Sequence, residues 1–500
     1  MPWPIMHPIP TSPRILFWGC WIALVTTSFG FLLRVLLMDD WARQFHLTET
    51  QKGELFGVGL WPFAISIVVF SLVIDRIGYK TAMLFGFACH LASLLMTVNA
   101  TSYEGLYWAN FVVALGNGTV EAYINPVVAT QFREQKTVWL NRLHAGWPAG
   151  FVIAGLLALL LGSDWSWQSR MWLLLAPALT YAAILLFQEF PVNERVAAGV
   201  PYRAMLAEVG AVGAFLITWL VAAELLRSLA LGANPLLHGA VAAAVVAAGV
   251  FAAVRTLGRP FFILMLLVML PLATTELGVD SWVSDLLGPV LGGKGIWVLL
   301  YTASLMMVLR FCAGAVVHRL SPLGLLALCS AVAAAGLVAL SSAAGAVAVF
   351  AAATLYAAGK AFFWPTMLGV VAEQCPRGGA LTLNATGGVG MLGVGVLGAM
   401  LLGNIQDRGL DRALAERAPQ VHQAVMVEQQ GLLGTYRAVD DRRLAAAPPE
   451  AAREVERTRA EVKQQALFQV AALPLLMLAV YLALAWWFRR RGGYRPVAVG

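Results

Sequence analysis

The chain has 500 residues, of which 60% are hydrophobic and 12% charged, and its mean hydropathy is +0.75. Soluble globular domains carry about a quarter charged residues, so this composition describes a polytopic membrane protein. The formal net charge of +7 does not point to nucleic acid, because the basic residues are scattered in short loops between apolar spans and form no patch.

Taken in chain order, the N-terminal MPWPIMHPIPTSPR is broken by prolines, lacks a cleavable signal pattern and reads as a short cytoplasmic tail. About 20 apolar residues cross a bilayer. Candidate spans fall at 15–38, 53–74, 81–100, 105–132, 138–162, 171–189, 211–229, 238–255, 260–287, 295–317, 323–342, 345–373, 379–403 and 466–488, about fourteen in all. With the N-terminus inside, the cytoplasmic loops collect Arg14, Arg76, Lys80, Arg133, Lys136, Arg195, Arg203, Arg255, Arg259, Arg319, Arg377 and Arg489–Arg491, while the outside loops hold Arg43, Arg170, Arg227 and Lys294. An even span count returns the basic C-terminus to the cytoplasm. Residues 404–465 differ, with ten Lys/Arg and ten Asp/Glu. Within them AAREVERTRAEVKQQ reads as a solvated helix with interleaved charges. Long loops escape the positive-inside rule, so this one is expected outside, as a periplasmic cap. The five cysteines lie in or beside apolar spans without a CxxC pair and read as small apolar fillers, with neither a disulfide nor a metal site.

The chain echoes itself. SLVIDRIGYK (71–80) and GAVVHRLSPL (314–323) share a layout of small and apolar residues followed by Asp/His-Arg-apolar-small. NGTVEAYINP (117–126) and YAAGKAFFWP (356–365) each place a charge five positions before a proline: Glu121 in one, Lys360 in the other. Repeats in the same order describe a duplicated transporter. The halves are expected at 1–190 and 259–500, joined by a linker at 191–258 that carries an inserted hairpin of two Ala/Val-rich spans.

SLVIDRIGYK resembles the loop signature of the major facilitator superfamily, Gly-x-x-x-Asp-Arg-x-Gly-Arg/Lys-Arg/Lys. Asp75, Arg76, Gly78 and Lys80 match, while Ser71 and Tyr79 depart from it. GNGTVEAYINP (116–126), LNRLHAGW (140–147), TTELGVDSW (274–282) and RFCAGAVVHRLSP (310–322) resemble motifs of its fucose/galactose/glucose–proton symporter branch. The resemblance implies an all-α fold of two six-helix halves, here with the two-helix hairpin added. It also implies a gating loop at Asp75, Arg76 and Lys80, echoed by His318 and Arg319. That branch carries an acidic residue in its first helix for the proton; the matching place here is Arg34–Val35, so that site is missing.

By the same resemblance, the spans 15–38, 105–132, 260–287 and 345–373 line the central cavity. Each holds an ionisable group: Arg34, Glu121, Glu276 with Asp280, and Lys360. Charges inside a membrane face cavities and find partners, so Glu121 and Lys360 are expected to face each other across the cavity. Asn125, Asn141, His144, Trp147, Trp282 and Trp364 lie beside these groups. Pro126, Pro148 and Pro365 are expected to break helices locally and free carbonyls towards the cavity. His90 reads as a satisfied core histidine; for Arg310 a structural tie and a substrate contact stand equally.

The expected function is a secondary transporter that imports a small polar solute, a sugar or sugar derivative, with protons by alternating access. The alternative is a carrier for a sugar acid or other small organic anion, by symport, uniport or exchange. A monomer in the inner or plasma membrane is expected, working without cofactor, metal or nucleic acid. A membrane-embedded transferase fits poorly, because the outside loops (Asp39, Asp40, Asp285, His422) offer neither a metal-ligand nor a nucleophile pattern.

Overall fold

A computed structural model describes residues 12–161, 165–229, 231, 234–280, 282–283, 295–431 and 434–499. The residues before Ser12, Asp285 and Lys294, and the His318 side chain, lie outside the described part. Among the described residues, twelve helices are long and apolar enough to cross a membrane. Two more complete the expected count of about fourteen: the shorter apolar Ile296–Phe311, and α5, a 29-residue helix that carries Asn117, Glu121 and Asn125. The first half runs α1 (Pro13–Phe45), α2 (Glu49–Val58), α3 (Trp61–Ile77), α4 (Tyr79–Val98), α5 (Tyr103–Gln131), α6 (Lys136–His144), α7 (Gly146–Leu161), α8 (Trp167–Trp172) and α9 (Leu175–Leu186). After the short α10 (Glu194–Ala197), α11 (Tyr202–Ser228) and α12 (Pro235–Val254) pack chiefly on each other. Most of α12 stays exposed, as suits a helix that faces lipid.

The duplication is visible in the backbone. Gly78, which ends α3, has φ 82° and ψ 152°; Ser321, at the matching place in the second half, has φ 58° and ψ 160° and kinks the helix Ala313–Ser342. A positive φ costs glycine nothing, whereas serine adopts it only under constraint. The same turn is therefore made twice with different residues, so tertiary position decides it.

The halves meet chiefly where α3 packs on Gly379–Gly393, α6 on Phe363–Gln374 and α7 on Gly295–Phe311. Glycine permits the closest approach. A Cβ on Gly369 would collide with Thr137 across the α6 contact.

Two helical stretches of 42 residues, Pro376–Arg417 and Pro449–Arg490, are twice the length a bilayer requires. Their excess forms an antiparallel stalk at the end opposite the chain termini. Within 404–465 the stretch AAREVERTRAEVKQQ is helical, as expected, and most of the remainder, expected only as a loop, is helical too; the segment builds its own small core from Leu410, Leu414, Val425, Met426 and Val455. It also holds one feature not anticipated, an antiparallel hairpin of β1 (Met426–Gly431) and β2 (Gly434–Val439), in which Met426 pairs with Val439. Its strands are short and polar, and they carry too little alternation to be read as strands.

Candidate functional site

Prolines set the geometry of the centre. A proline has no N–H for the carbonyl four residues before it, so Pro126, Pro148 and Pro365 leave the carbonyls of Ala122, His144 and Ala361 without their helical donors. Each is bonded instead by a side chain. Asn384 donates to Ala122 O at 2.9 Å from the opposite half. Arg310 donates through one Nη to His144 O at 2.9 Å and through Nε to Ala361 O at 2.6 Å. Its other Nη pairs with Glu276 Oε1 at 2.7 Å, with side-chain exposures of 3% and 4%. Arg310 therefore ties a broken helix of the first half to a broken helix of the second.

Glu276 sits on a π-helical turn, Thr274–Gly278, that follows Pro271. Such turns widen the helix and recur at functional sites. Its second oxygen accepts from the backbone N–H of Trp364 at 3.0 Å. Trp364 thus meets the cluster through its backbone, while its indole packs over Gly390.

Lys360 does not pair with Glu121. It bonds to the Asp280 carboxylate, donates to Glu276 O at 3.1 Å, and lies 5.4 Å from the ring centre of Tyr356. The reason is local. Asp280 is one helical turn beyond Glu276, and the π turn brings it within reach of the broken end of Ala346–Lys360. Glu121 is 6% exposed and makes no ion pair among the described residues. Asn125, four residues on and so on the same helix face, donates to its Oε2 at 2.7 Å. His144 Nε2 in turn lies 2.9 Å from Asn125 Oδ1. Asn141 crosses to the other half, donating to Thr366 Oγ1 at 3.1 Å.

Arg34 lies apart from this cluster. It is 6% exposed and donates to Gly30 O at 2.9 Å and Ser93 Oγ at 2.8 Å. Its Nε is buried without a partner, and no carboxylate pairs with it among the described residues. It lines an open cleft between α1, α2 and α5, with Phe31, Phe56, Asn110 and Asn117. His90 is satisfied at both ring nitrogens, by Tyr181 Oη at 3.1 Å and Asn117 Oδ1 at 2.9 Å. The core reading of His90 therefore stands, though one partner is a cleft residue.

At the end where the termini lie, Asp75 pairs with Arg195 of the linker at 2.6 Å, and Arg76 stacks on Tyr202 at 4.8 Å. Lys80 and Arg319 are exposed. The Asp75 loop thus contacts the linker, and at this end the halves touch through residues not singled out as a gate in the sequence. Glu373 accepts from Thr137 N at 3.1 Å and Thr137 Oγ1 at 2.6 Å, and from Tyr494 Oη at 2.8 Å. Burial and the Glu373 carboxylate push the Tyr494 phenol well above its ordinary range, so it stays a donor. Lys136 pairs with Glu194 at 2.5 Å and donates to Ala372 O at 3.3 Å. The only sequence signal for these groups was polarity at the ends of spans, which interfacial residues share.

The family model described as Major Facilitator Superfamily matches residues 20–403. Among curated proteins, the chain is 26% identical over 143 residues to the riboflavin transporter MCH5 of Saccharomyces cerevisiae, covering 28% of this chain and 27% of that protein. It is 22% identical over 162 residues to a gentisate transporter of Corynebacterium glutamicum, covering 31% of this chain and 36% of that one. The chain thus spans about a third or less of the curated relatives it matches. Solved structures match over nearly their whole length. The E. coli fucose:proton symporter FucP aligns with a TM-score of 0.58 at 13% identity, over 94% of this chain and 98% of that chain. The proton:xylose symporter XylE aligns with 0.62 at 11%, over 94% and 95%. The human organic anion transporter MFSD10 aligns with 0.59 at 11%, over 94% and 99%. At these identities the structures speak for the fold alone.

Proposed function

The chain belongs to the major facilitator superfamily, whose members are transporters rather than enzymes, and from that premise we propose that it carries a small organic anion together with a proton by alternating access. The observation behind this reading is Arg34, a buried guanidinium without a carboxylate, on the wall of an open cleft. A charge left unpaired inside a membrane marks a binding function by default.

Charge counting gives the mechanism. Around the centre, among the described residues, the cations are Arg34, Arg310 and Lys360 and the carboxylates Glu121, Glu276 and Asp280; the buried Glu224 is paired with Arg227 away from it. Two pairs cancel, Arg310 with Glu276 and Lys360 with Asp280. Arg34 and Glu121 remain. With Glu121 ionised the interior is neutral; with Glu121 protonated it carries one uncompensated positive charge. An anion on Arg34 restores neutrality, so proton and anion favour each other's binding, and that coupling is reciprocal. Glu121 takes the proton, and Asn125 and His144 orient its carboxylate.

A second reading keeps the proton but makes the solute a neutral sugar or sugar derivative. The amides of Asn110 and Asn117 on the cleft wall and the face of Trp147 favour it, as hydroxyl partners and a stacking surface. The names of the two curated relatives, a riboflavin and a gentisate transporter, leave both readings available.

In this proposal the protein imports its solute as a monomer in the inner or plasma membrane. The termini and the Asp75 loop face the cytoplasm, and the 404–465 cap lies outside. The halves divide at about residues 190 and 258, around the α11–α12 pair. The test is proteoliposomes loaded with a pH dye. On the anion reading, external gluconate or terephthalate, dissolved as salts that cross bilayers poorly, acidifies the lumen in wild type and not in Glu121→Gln, whereas L-fucose does not. Acidification by fucose and by neither acid transfers the proposal to the sugar reading; acidification by none of the three, with dye-silent exchange, removes the proton.

A further inference from the structure

The cleft at Arg34 has a second property that charge alone does not explain: two aromatic rings stand in its otherwise aliphatic apolar wall. Phe31 and Phe56 line it, with ring centres 5.8 Å apart and planes at 61°. Behind them Phe31 stacks on Phe151 at 6.3 Å and 11°, and meets Trp147 at 6.3 Å. Trp147 in turn reaches Phe151 at 5.8 Å and Phe63 at 6.4 Å. Phe56 remains 45% exposed despite this company. An aromatic ring exposed in a cleft, backed by further rings, presents faces and edges to which another ring adds in offset or edge-on geometry.

The polar side of the cleft is equally specific. Arg34 is held in place by Gly30 O and Ser93 Oγ, and Ser93 is fixed in turn by donating to Ala109 O at 2.6 Å. Asn117 gives its oxygen to His90, which leaves its amide N–H groups as donors. A preset guanidinium beside an amide donor suits two acceptor oxygens in one plane. Carboxylate donors and rings thus line one cleft between α1, α2 and α5, with Phe31 and Arg34 on the same face of α1.

Resting on the anion reading above, we propose that the solute is an aromatic carboxylate, its carboxylate on Arg34 and Asn117 and its ring against Phe31 and Phe56. Two features must then sit in one molecule. A saturated ring with a carboxylate keeps the charge and loses the π face. A sugar acid keeps the charge and loses the ring. A phenol keeps the ring and loses the charge.

The experiment is a binding titration on the purified full-length protein in detergent, followed by tryptophan fluorescence and thermal unfolding. The probes are 4-hydroxybenzoate, cyclohexanecarboxylate, gluconate, phenol, L-fucose and dioleoylphosphatidylglycerol vesicles. The aromatic carboxylate should bind about tenfold more tightly than the saturated one, given what ring pairs contribute. Arg34→Gln should weaken it by about ten- to a hundredfold, as expected for a lost charged hydrogen bond. Arg34→Lys, which keeps the charge and guards against misfolding, should retain part of the affinity. Phe31→Leu should abolish the preference for the aromatic ring while carboxylate binding persists. Equal binding of hydroxybenzoate, cyclohexanecarboxylate and gluconate overturns the aromatic class and leaves the anion reading standing. Binding of fucose with no carboxylate bound overturns both. Occupancy by phosphatidylglycerol with none of the small acids competing makes the cleft a lipid headgroup site and also overturns the proposal.

Discussion

Replacing Arg310 by methionine removes the tie between the halves. Three acceptors lose their donor at once: Glu276 Oε1, His144 O and Ala361 O, at 2.7, 2.9 and 2.6 Å. Breaking a buried pair by removing one partner costs about 3–5 kcal/mol. Each uncapped buried carbonyl adds about 1 kcal/mol or more, less where water enters. Arg310→Met should therefore destabilise by about 5 kcal/mol. Glu276→Gln leaves the guanidinium uncompensated and, with one acceptor oxygen where the carboxylate had two, cannot serve both Arg310 and the Trp364 N–H, so about 4 kcal/mol is expected, within the same range. The double variant has no orphaned charge from the pair and loses only the carbonyl caps. It should fall well short of the sum, with a coupling of at least about 2 kcal/mol in the range known for residues of one network. Reversible unfolding of the reconstituted protein by SDS titration, read by tryptophan fluorescence, measures all four corners of the cycle. Additivity within about 0.5 kcal/mol, the scatter seen for independent sites, would refute the coupling and with it the assignment of Arg310 as the tie.

Four further outcomes follow from the same contacts. Lys360→Met should cost stability, and Lys360→Met with Asp280→Asn should recover part of it; combining Lys360→Met with Glu121→Gln should give no such recovery, which separates the observed pair from the one expected in the sequence. Glu373→Gln and Tyr494→Phe should raise cysteine labelling at Asn141→Cys from the side of the termini, by up to about tenfold for a charged bond weakened to a neutral one; unchanged labelling sinks the role of Glu373 in closure. Gly118→Ala should destabilise, because its Cβ would collide with the Phe63 carbonyl, whereas Gly53→Ala, inside α2 with open space around it, should be neutral or stabilise by up to about 1 kcal/mol in the same thermal scan. In proteoliposomes that carry both a substrate gradient and a pH gradient, Glu121→Gln should retain exchange and lose accumulation; accumulation that persists assigns the proton to another group.

The spans, their approximate number and the duplication were legible in the sequence because each rests on local or periodic information. A run of apolar residues has one outcome in a bilayer, where every backbone group must be bonded internally. The three prolines were equally legible. The loss of an N–H is a covalent property, so the freed carbonyls of Ala122, His144 and Ala361 follow from Pro126, Pro148 and Pro365 wherever a helix forms. What bonds those carbonyls was not legible. Asn384 lies 262 residues from Ala122 and Arg310 lies 166 from His144, and nothing along the chain records such a distance. The charge pairing failed for the same reason. Glu121 and Lys360 occupy matching places in the two repeats, and symmetry of position suggested that they meet. The partner of Lys360 was decided instead by the π turn at Thr274–Gly278, a shift of one residue in helical register that turns Asp280 towards it. With Lys360 satisfied by Asp280 and Arg310 by Glu276, Arg34 is left as the cation without a carboxylate. That residual charge is a property of the packed helices as a set: the sequence supplies the six ionisable side chains, and only their distances in the fold determine which four cancel, since charge attraction inside a membrane is strong at contact and each group satisfies itself with the nearest partner.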